Sequence, residues 1–517
     1  MLYALLATPA WAKSEPPPEA APQFDIWEIR VRGNQLLTPR AVEGVIYPHL
    51  GPGRTIDDVD AARGALEAAY RDAGYPTVLV NIPEQDVVNG VVWLEVVEGG
   101  VERLRISGSR YFSLGRIRGF VPALAEGRVP HVPTVQKEIQ ALNGLSPDRK
   151  ITPVLKPARS PGMTDVELVV EDELPLHGNL EFNGRNTKDT TRTRLGGGVR
   201  YDNLWQREHS VGFQFQLTPE DPGETKVYSG SYLFRVPGRQ TLVALYGVST
   251  DSDVFAGSDI NVIGNGIIAG ARVIQPLPSV AWGYHRFSVG FDYKDFQESV
   301  GLLGSDTFNT PISYHMFELG YTANRLGDTA ETKFGINLDF ALRNFGNTPK
   351  EFENKRFLAK PNFAYLTAEL AHDQFLGAFG RLHFEADGQL AESPLISNEQ
   401  FAVGGLESVR GYYETQNLTD LGIRTSLEYH SPSIGSMVWS GLSDLHGVLF
   451  VDAAHARVID ALPNQFQSFT LWSTGLGVEF GVLSYFTGRA YLAWALQEND
   501  RIERGDSRVH FDFDYRF

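Results

Sequence analysis

From about Leu176 to the last residue, apolar and polar side chains alternate. In FSVGFDY, Phe287, Val289, Phe291 and Tyr293 take turns with Ser288, Gly290 and Asp292. KFGINLDFAL repeats the pattern with Phe334, Ile336, Leu338 and Phe340, and RLHFEADGQL with Leu382, Phe384, Ala386 and Leu390. VHFDFDYRF sets Val509, Phe511, Phe513, Tyr515 and Phe517 against His510, Asp512, Asp514 and Arg516. A period of two puts alternate side chains on opposite faces of a strand. About sixteen such segments follow one another, separated by connections rich in Gly, Asp, Asn, Pro and Ser. The connections are unequal: the one within YDNLWQREH is short, whereas SDTFNTPI and the stretch after Leu390 are longer. A soluble sandwich also alternates, but rarely without a break through about 340 residues. A membrane barrel does so because lipid meets one face, water the other, and closure removes the unpaired edge. The pattern therefore predicts a transmembrane β-barrel of about 16 antiparallel strands over residues 175–517.

Residues 24–174 have a different rhythm. IWEIRVRG predicts a strand, and Thr38-Pro39 opens a helix with Thr as N-cap and Pro in the first turn. A second helix starts at Thr55, assisted by Asp58, with Val59, Ala62, Leu66, Ala69 and Tyr70 at helical spacing as far as Gly74. TVLVNIP and VVWLEVVEG complete the order strand, helix, helix, strand, strand. About 75 residues on, LRISGSRYF echoes IRVRGNQLL and VELVVED echoes WLEVVEG, with VPTVQKEIQALNGL as the second helix of the copy. Two α+β units are expected, at 24–99 and 100–174.

The first twelve residues, MLYALLATPAWA, are apolar and end in a small-x-small pattern suited to signal peptidase, without a basic region ahead of them. They read as the remnant of a secretory signal peptide whose start lies upstream; a frayed apolar terminus is the other reading. Residues 13–23, KSEPPPEAAPQ, predict an extended Pro-rich linker. No later run of about eighteen apolar residues exists to span a membrane as a helix.

Composition narrows the function. The chain has 46 basic and 63 acidic residues, a net charge of −17, which repels phosphate backbones, so no nucleic-acid partner is expected. Absence of cysteine removes disulfides, thiolate metal sites and cysteine nucleophiles. GNGIIAG and GLGVEFG lack phosphate-loop spacing, G-x-S-x-G and H-E-x-x-H do not occur, and the 12 histidines are scattered. No enzyme activity, metal or cofactor is expected.

One polar insertion, about 392–420, contains FAVGGLESVRGYYETQNL. A solvated arginine is the bland reading of Arg410. Against it, Gly404, Gly405 and Gly411 permit tight turns, Tyr412 and Tyr413 offer packing, and the next strand but one reads GVLFVDAAHA. On that strand Gly447, Leu449, Val451 and Ala453 form a lipid-compatible face, so Val448, Phe450 and Asp452 point into the lumen. Asp452 there could hold a guanidinium in two-point fashion.

The order of elements at 24–174, with GY-x-TV-x-V at Gly74–Val80 and the Val-Val-Glu endings, resembles POTRA domains, the periplasmic modules of outer-membrane protein transporters. On this stretch alone, an unrelated α+β pair is the alternative. Val409-Arg410-Gly411-Tyr412 and Gly447-Val448-Leu449-Phe450-Val451-Asp452-Ala453-Ala454 resemble the VRG(F/Y) tip of the sixth external loop and the G-x-x-F-x-D-x-G of the thirteenth strand in the POTRA-plus-barrel superfamily. Ala454 departs from the final glycine. The resemblance implies a loop folded into the lumen and latched by Arg410 and Asp452, with Val409, Gly411, Tyr412, Phe450 and Gly447 in support. Phe517, with Tyr515 and Phe513, resembles the ending read by barrel-assembly machinery, a partner during biogenesis alongside outer-membrane lipid. Two POTRA units before such a barrel is the layout of two-partner (type Vb) secretion transporters, the ShlB/FhaC/HecB haemolysin secretion/activation family of Gram-negative bacteria. The implied role is export of an unfolded haemolysin- or adhesin-type exoprotein, bound in the periplasm at a sheet edge or beside the helix of Val59 and Leu66, near Val78 and Val80. A barrel-assembly insertase of the same superfamily, a plain porin and an outer-membrane enzyme are the rivals. Many relatives place a plug helix ahead of the linker; here the Pro-rich segment follows almost directly on the expected signal, so either the plug is absent or the true start lies upstream.

Overall fold

The computed structural model describes residues 22–252, 264–297, 299–301, 307–463, 465–499 and 502–517. The expected leader and all but the last two residues of the linker at 13–23 lie outside them. The fold divides into two units between Leu174 and Pro175.

The first unit begins with β1 (Phe24–Ile26), β2 (Glu28–Arg32), α1 (Pro39–Ile46), β3 (Gly51–Arg54), α2 (Ile56–Asp72), β4 (Leu79–Asn81) and β5 (Val91–Val97). The sheet order is β2-β5-β4, with β5 parallel to β2 and antiparallel to β4. The single strand expected over IWEIRVRG breaks at Trp27, because β1 turns away to pair with β3. Thr55 and Asp58 close a reciprocal cap on α2, whose Val59, Ala62, Leu66 and Tyr70 are buried against the sheet. The second half repeats the plan with β6 (Val101–Ser107), α3 (Leu114–Gly119), α4 (Val132–Asn143), β7 (Arg149–Pro157) and β8 (Thr164–Asp172), in sheet order β6-β8-β7.

Duplication extends to single atoms. Gly33 and Gly108 each end a first strand at positive φ, and a Cβ on either would lie 2.2 Å from the carbonyl oxygen of Val96 or Val170. Glu98 accepts the N–H groups of Gln35 and Leu36, as Asp172 accepts those of Arg110 and Tyr111. A carboxylate at the end of the last strand thus ties down the loop after the first in both halves. Glu98 also accepts from the buried Tyr70 hydroxyl, whose pKa burial and the neighbouring carboxylate raise above the ordinary phenol range.

The second unit runs through β9 (Leu176–Asn183), β10 (Arg194–Leu204), β11 (His209–Leu217), β12 (Lys226–Arg235), β13 (Leu242–Ser252), β14 (Gly264–Pro276) and β15 (Gly283–Phe296). After a small hairpin of β16 (Ser299–Gly301) and β17 (Thr307–Asn309) come β18 (Ile312–Leu326), β19 (Ala330–Phe340), α5 (Pro349–Lys355), β20 (Ala364–Phe375) and β21 (Arg381–Ala391). A second hairpin, β22 (Phe401–Val403) with β23 (Asn417–Thr419), precedes β24 (Leu421–His430), α6 (Gly435–Val438), β25 (Leu442–Arg457), β26 (Ser468–Val482), β27 (Phe486–Ala495) and β28 (Ser507–Arg516). Sixteen of these strands close an antiparallel barrel, with β28 pairing back onto β9 from Asp512↔Asn183 to Arg516↔Asn179. Short turns join the strands at one end; β10 and β11 are linked through Trp205 and Gln206, both at positive φ. Long connections occupy the other end. There α5 buries Phe352 with Phe296, Tyr314, Phe363, Leu395 and Ile396. The face expected for lipid is exposed: Leu449, Val451, Trp472, Leu476 and Val478 form part of it.

Candidate functional site

The connection between β21 and β24, residues 392–420, enters the barrel and returns. Gly404 and Gly405, both at positive φ, turn its descending leg, and a bond from Gly405 N to the Val409 carbonyl (3.2 Å) closes the tip. Buried Glu414 steadies the turn by accepting the Leu406 N–H at 2.7 Å.

Arg410 meets Asp452 in a two-point ion pair: Nε donates to Oδ2 at 2.8 Å and Nη2 to Oδ1 at 2.7 Å. The Arg410 backbone N–H adds a third bond to Oδ2 at 3.0 Å. Neither side chain reaches water to any extent, Arg410 being 4% exposed and Asp452 0%. The guanidinium lies flat on Phe450, Cζ to ring centroid 3.6 Å, with Tyr491 at 4.9 Å. Lysine has neither the fork nor the flat face that this arrangement uses.

Two residues on β24 complete the arrangement, and sequence reasoning missed both. Glu428 accepts from Arg410 Nη2 at 2.7 Å, and Ser426 accepts from Nη2 at 3.0 Å while donating to Asp452 at 2.8 Å. Alternation along LGIRTSLEYH puts both on the inward face, but nothing in the sequence pairs either with Arg410. Gly411, at φ +93°, donates to His510 Nε2 at 2.9 Å, and a Cβ on it would sit 3.2 Å from Ala495 N. Val409 and Tyr412, both fully buried, pack with Ala454, Ala456, Leu471 and Ala495. The Tyr412 hydroxyl points at the carbonyls of Gln497 (2.6 Å) and Trp472 (3.0 Å). Arg508 lies 3.8 Å over the Tyr413 ring. Ala454, where the motif has glycine, contributes its methyl to this cluster.

Further anchors were invisible in the sequence. Glu407 at the tip accepts from Arg185 (2.7 Å) and from Arg489. Glu399, buried on the descending leg, accepts from Lys294 (2.6 Å), Tyr365 (2.7 Å) and Tyr314. Asp420, at the outer end of the ascending leg, accepts from Arg356 (2.5 and 2.7 Å) and from the N–H groups of Leu395 (2.9 Å) and Ile459 (2.7 Å).

Some expected residues lie elsewhere. Gly447 faces outward with Leu449 and exchanges bonds with Ser431, so it has no contact with the latch. Val59, Leu66, Val78 and Val80, expected to meet a bound segment, are 0–3% exposed in the core of the first α+β half. The helical stripe that suggested a docking face is the face turned to its own sheet. Phe513, Tyr515 and Phe517 project from the outer side of β28, the last two exposed, and Phe517 exchanges main-chain bonds of 2.9 and 3.0 Å with Gly178.

Known proteins share this architecture. Residues 24–99 match the family model "POTRA domain, ShlB-type". The outer membrane transporter CdiB of Dickeya dadantii (strain 3937) is 27% identical over 184 residues, 36% of this chain and 32% of that protein. The chain thus aligns with about a third of the curated relative's length. The solved structure of CdiB from Escherichia coli superposes with a TM-score of 0.61 at 17% identity, covering 99% of this chain and 93% of that one. BamA from Haemophilus ducreyi lacking POTRA domains 1–3 superposes with a TM-score of 0.59 at 13% identity, covering 96% and 100%. At these identities the likeness is one of fold: a barrel preceded by POTRA modules, an outer-membrane architecture. With residues 162–480 also matching the family model "Haemolysin secretion/activation protein ShlB/FhaC/HecB", the chain belongs to that family.

Proposed function

We propose that this protein receives an unfolded exoprotein at its periplasmic POTRA modules and passes it through the barrel to the cell surface, the two-partner form of secretion. The observation that carries this reading is the inward loop. A plain porin gains nothing from a lumen occupied by 392–420, whereas a protein-conducting pore needs a plug that can be exchanged for substrate. The Arg410–Asp452 pair is the exchangeable fastening. A charge-assisted bond contributes about 1.5–3 kcal/mol, enough to hold a resting state and still yield. With Val59, Leu66, Val78 and Val80 committed to the core, recognition falls to main-chain pairing along an open sheet edge. β4, an edge strand with Leu79 exposed, offers one. Substrate folding outside the cell supplies direction.

The test compares a deletion strain complemented with wild type, Arg410→Ala or Asp452→Ala, each checked for barrel insertion. Loss of one exoprotein from the medium on deletion, restored by wild type alone, is the expected result. General loss of outer-membrane barrels would instead favour an insertase, and normal export by both variants would remove the latch from the mechanism.

A further inference from the structure

The histidines that show no ligand spacing along the chain converge in space. β24, β25 and β26 are neighbours in the barrel, and His430, His446 and Glu479 share their inward faces near the short-turn, periplasmic end. His446 stands directly opposite Glu479 in the ladder, and the two imidazole centroids are 5.4 Å apart. His446 Nε2 is 2.9 Å and His430 Nδ1 3.5 Å from Glu479 Oε2, and one donor atom from each residue lies within 4.8 Å of the others. Two imidazole nitrogens and one carboxylate oxygen can converge on a single ion about 2.0–2.2 Å from each after small rotations.

The outer groups point the same way. His430 Nε2 is 2.8 Å from Glu428 Oε2, and His446 Nδ1 is 3.2 Å from Asp444 Oδ1. Each ring therefore has a carboxylate on the nitrogen turned away from Glu479, the arrangement that fixes the tautomer of metal-bound histidine and raises its basicity. The second oxygen of Glu479 accepts from the Tyr491 hydroxyl. A cavity of about 190 Å³, lined by His430, Glu479, Tyr491, Glu428 and Arg410, gives an ion access.

We propose that His430, His446 and Glu479 bind one divalent transition-metal ion of the zinc class, leaving a fourth position open. Facing the site from β20 and β21 are Asp373, Arg381, His383 and Glu385. Arg381 Nη2 lies 3.3 Å from His430 Nδ1 and must withdraw, which its partly exposed side chain and its contact with Asp373 (3.1 Å) allow. The rival occupancy is protonation, two imidazolium rings among the same carboxylates. Glu428, shared by His430 and Arg410, stands between this site and the loop latch.

The test uses the full chain in detergent, without a histidine tag and stripped with chelator, titrated with cobalt(II) and read by visible absorption. A one-to-one cobalt spectrum that zinc displaces is expected. His446→Ala should abolish it, and Asp444→Asn, which leaves all three ligands in place, should weaken binding by roughly 10–100-fold. Heat-modifiable migration in gels checks that each variant is a closed barrel. A wild-type protein silent toward cobalt, or a spectrum unchanged in folded His446→Ala, would overturn the proposal in favour of protonation alone.

Discussion

Replacing Arg410 with lysine keeps the charge and removes the geometry, so it isolates what the fork contributes. The wild-type guanidinium gives Asp452 two parallel side-chain bonds of 2.8 and 2.7 Å and lies 3.6 Å above Phe450. An ammonium on a flexible stem retains one strong contact with Asp452 and loses the second bond and the flat stacking. One charge-assisted bond contributes about 1.5–3 kcal/mol and a desolvated cation–π contact about 1–2 kcal/mol. Part is recovered because Glu428 still attracts the ammonium, which leaves a net weakening of about 2–3 kcal/mol. The equilibrium for releasing the loop should then rise by about 30- to 140-fold. Single-channel recordings in planar bilayers read this directly as open probability, with heat-modifiable migration confirming an intact barrel. An Arg410→Lys barrel whose open probability stays within about twofold of wild type would refute the reasoning, because a 0.4 kcal/mol change is too small for the loss of a bond and a stack.

Three other perturbations probe different parts of the argument. Glu399→Ala strands Lys294 without its carboxylate in a buried setting and should destabilise the barrel by about 3–5 kcal/mol, seen as a lower urea midpoint; an unchanged midpoint would dismiss this anchor. Gly411→Ala alters no charge but forces a side chain into positive φ within 3.2 Å of Ala495 N, a strain of about 1–3 kcal/mol that should raise open probability; no rise would mean that the tip backbone relaxes freely. Leu66→Ala should lower the stability of the POTRA region by about 2–5 kcal/mol, measured by urea-dependent proteolysis of residues 22–174. Export reduced at full stability would return Leu66 to the substrate surface.

The barrel was legible because lipid and water impose opposite demands on alternate residues, and Phe287 to Tyr293 or Val509 to Phe517 carry that demand unmixed. The Arg410–Asp452 pair was legible because each residue interrupts its surroundings: a charge in an apolar strand, a cation between a valine and a glycine. Glu399 had no such contrast. A carboxylate in a polar loop reads the same whether it faces water or a lysine 105 residues earlier, and only the closed barrel brings Lys294 to it. Val59 and Leu66 show the opposite failure, since one helical stripe serves equally for a core and for a docking groove. Gly447 belongs to a matched motif by spacing, yet strand parity turns it to lipid, away from Phe450 and Asp452. His430, His446 and Glu479 are far apart in the chain and meet only through the strand register.

The anchors on the inward loop lie in series along one polypeptide: Glu399 on one leg, Arg410 at the tip, Asp420 on the other leg. Fastenings in series peel one after another, so the force that frees the loop is set by the strongest single one met in turn and not by their sum. Tension from the external side reaches Glu399 and Asp420 first. A polypeptide pushing up from the periplasm reaches Glu407 and Arg410 first, with both legs still clipped. The same loop is therefore mechanically polar, with a different breaking sequence for each direction of approach.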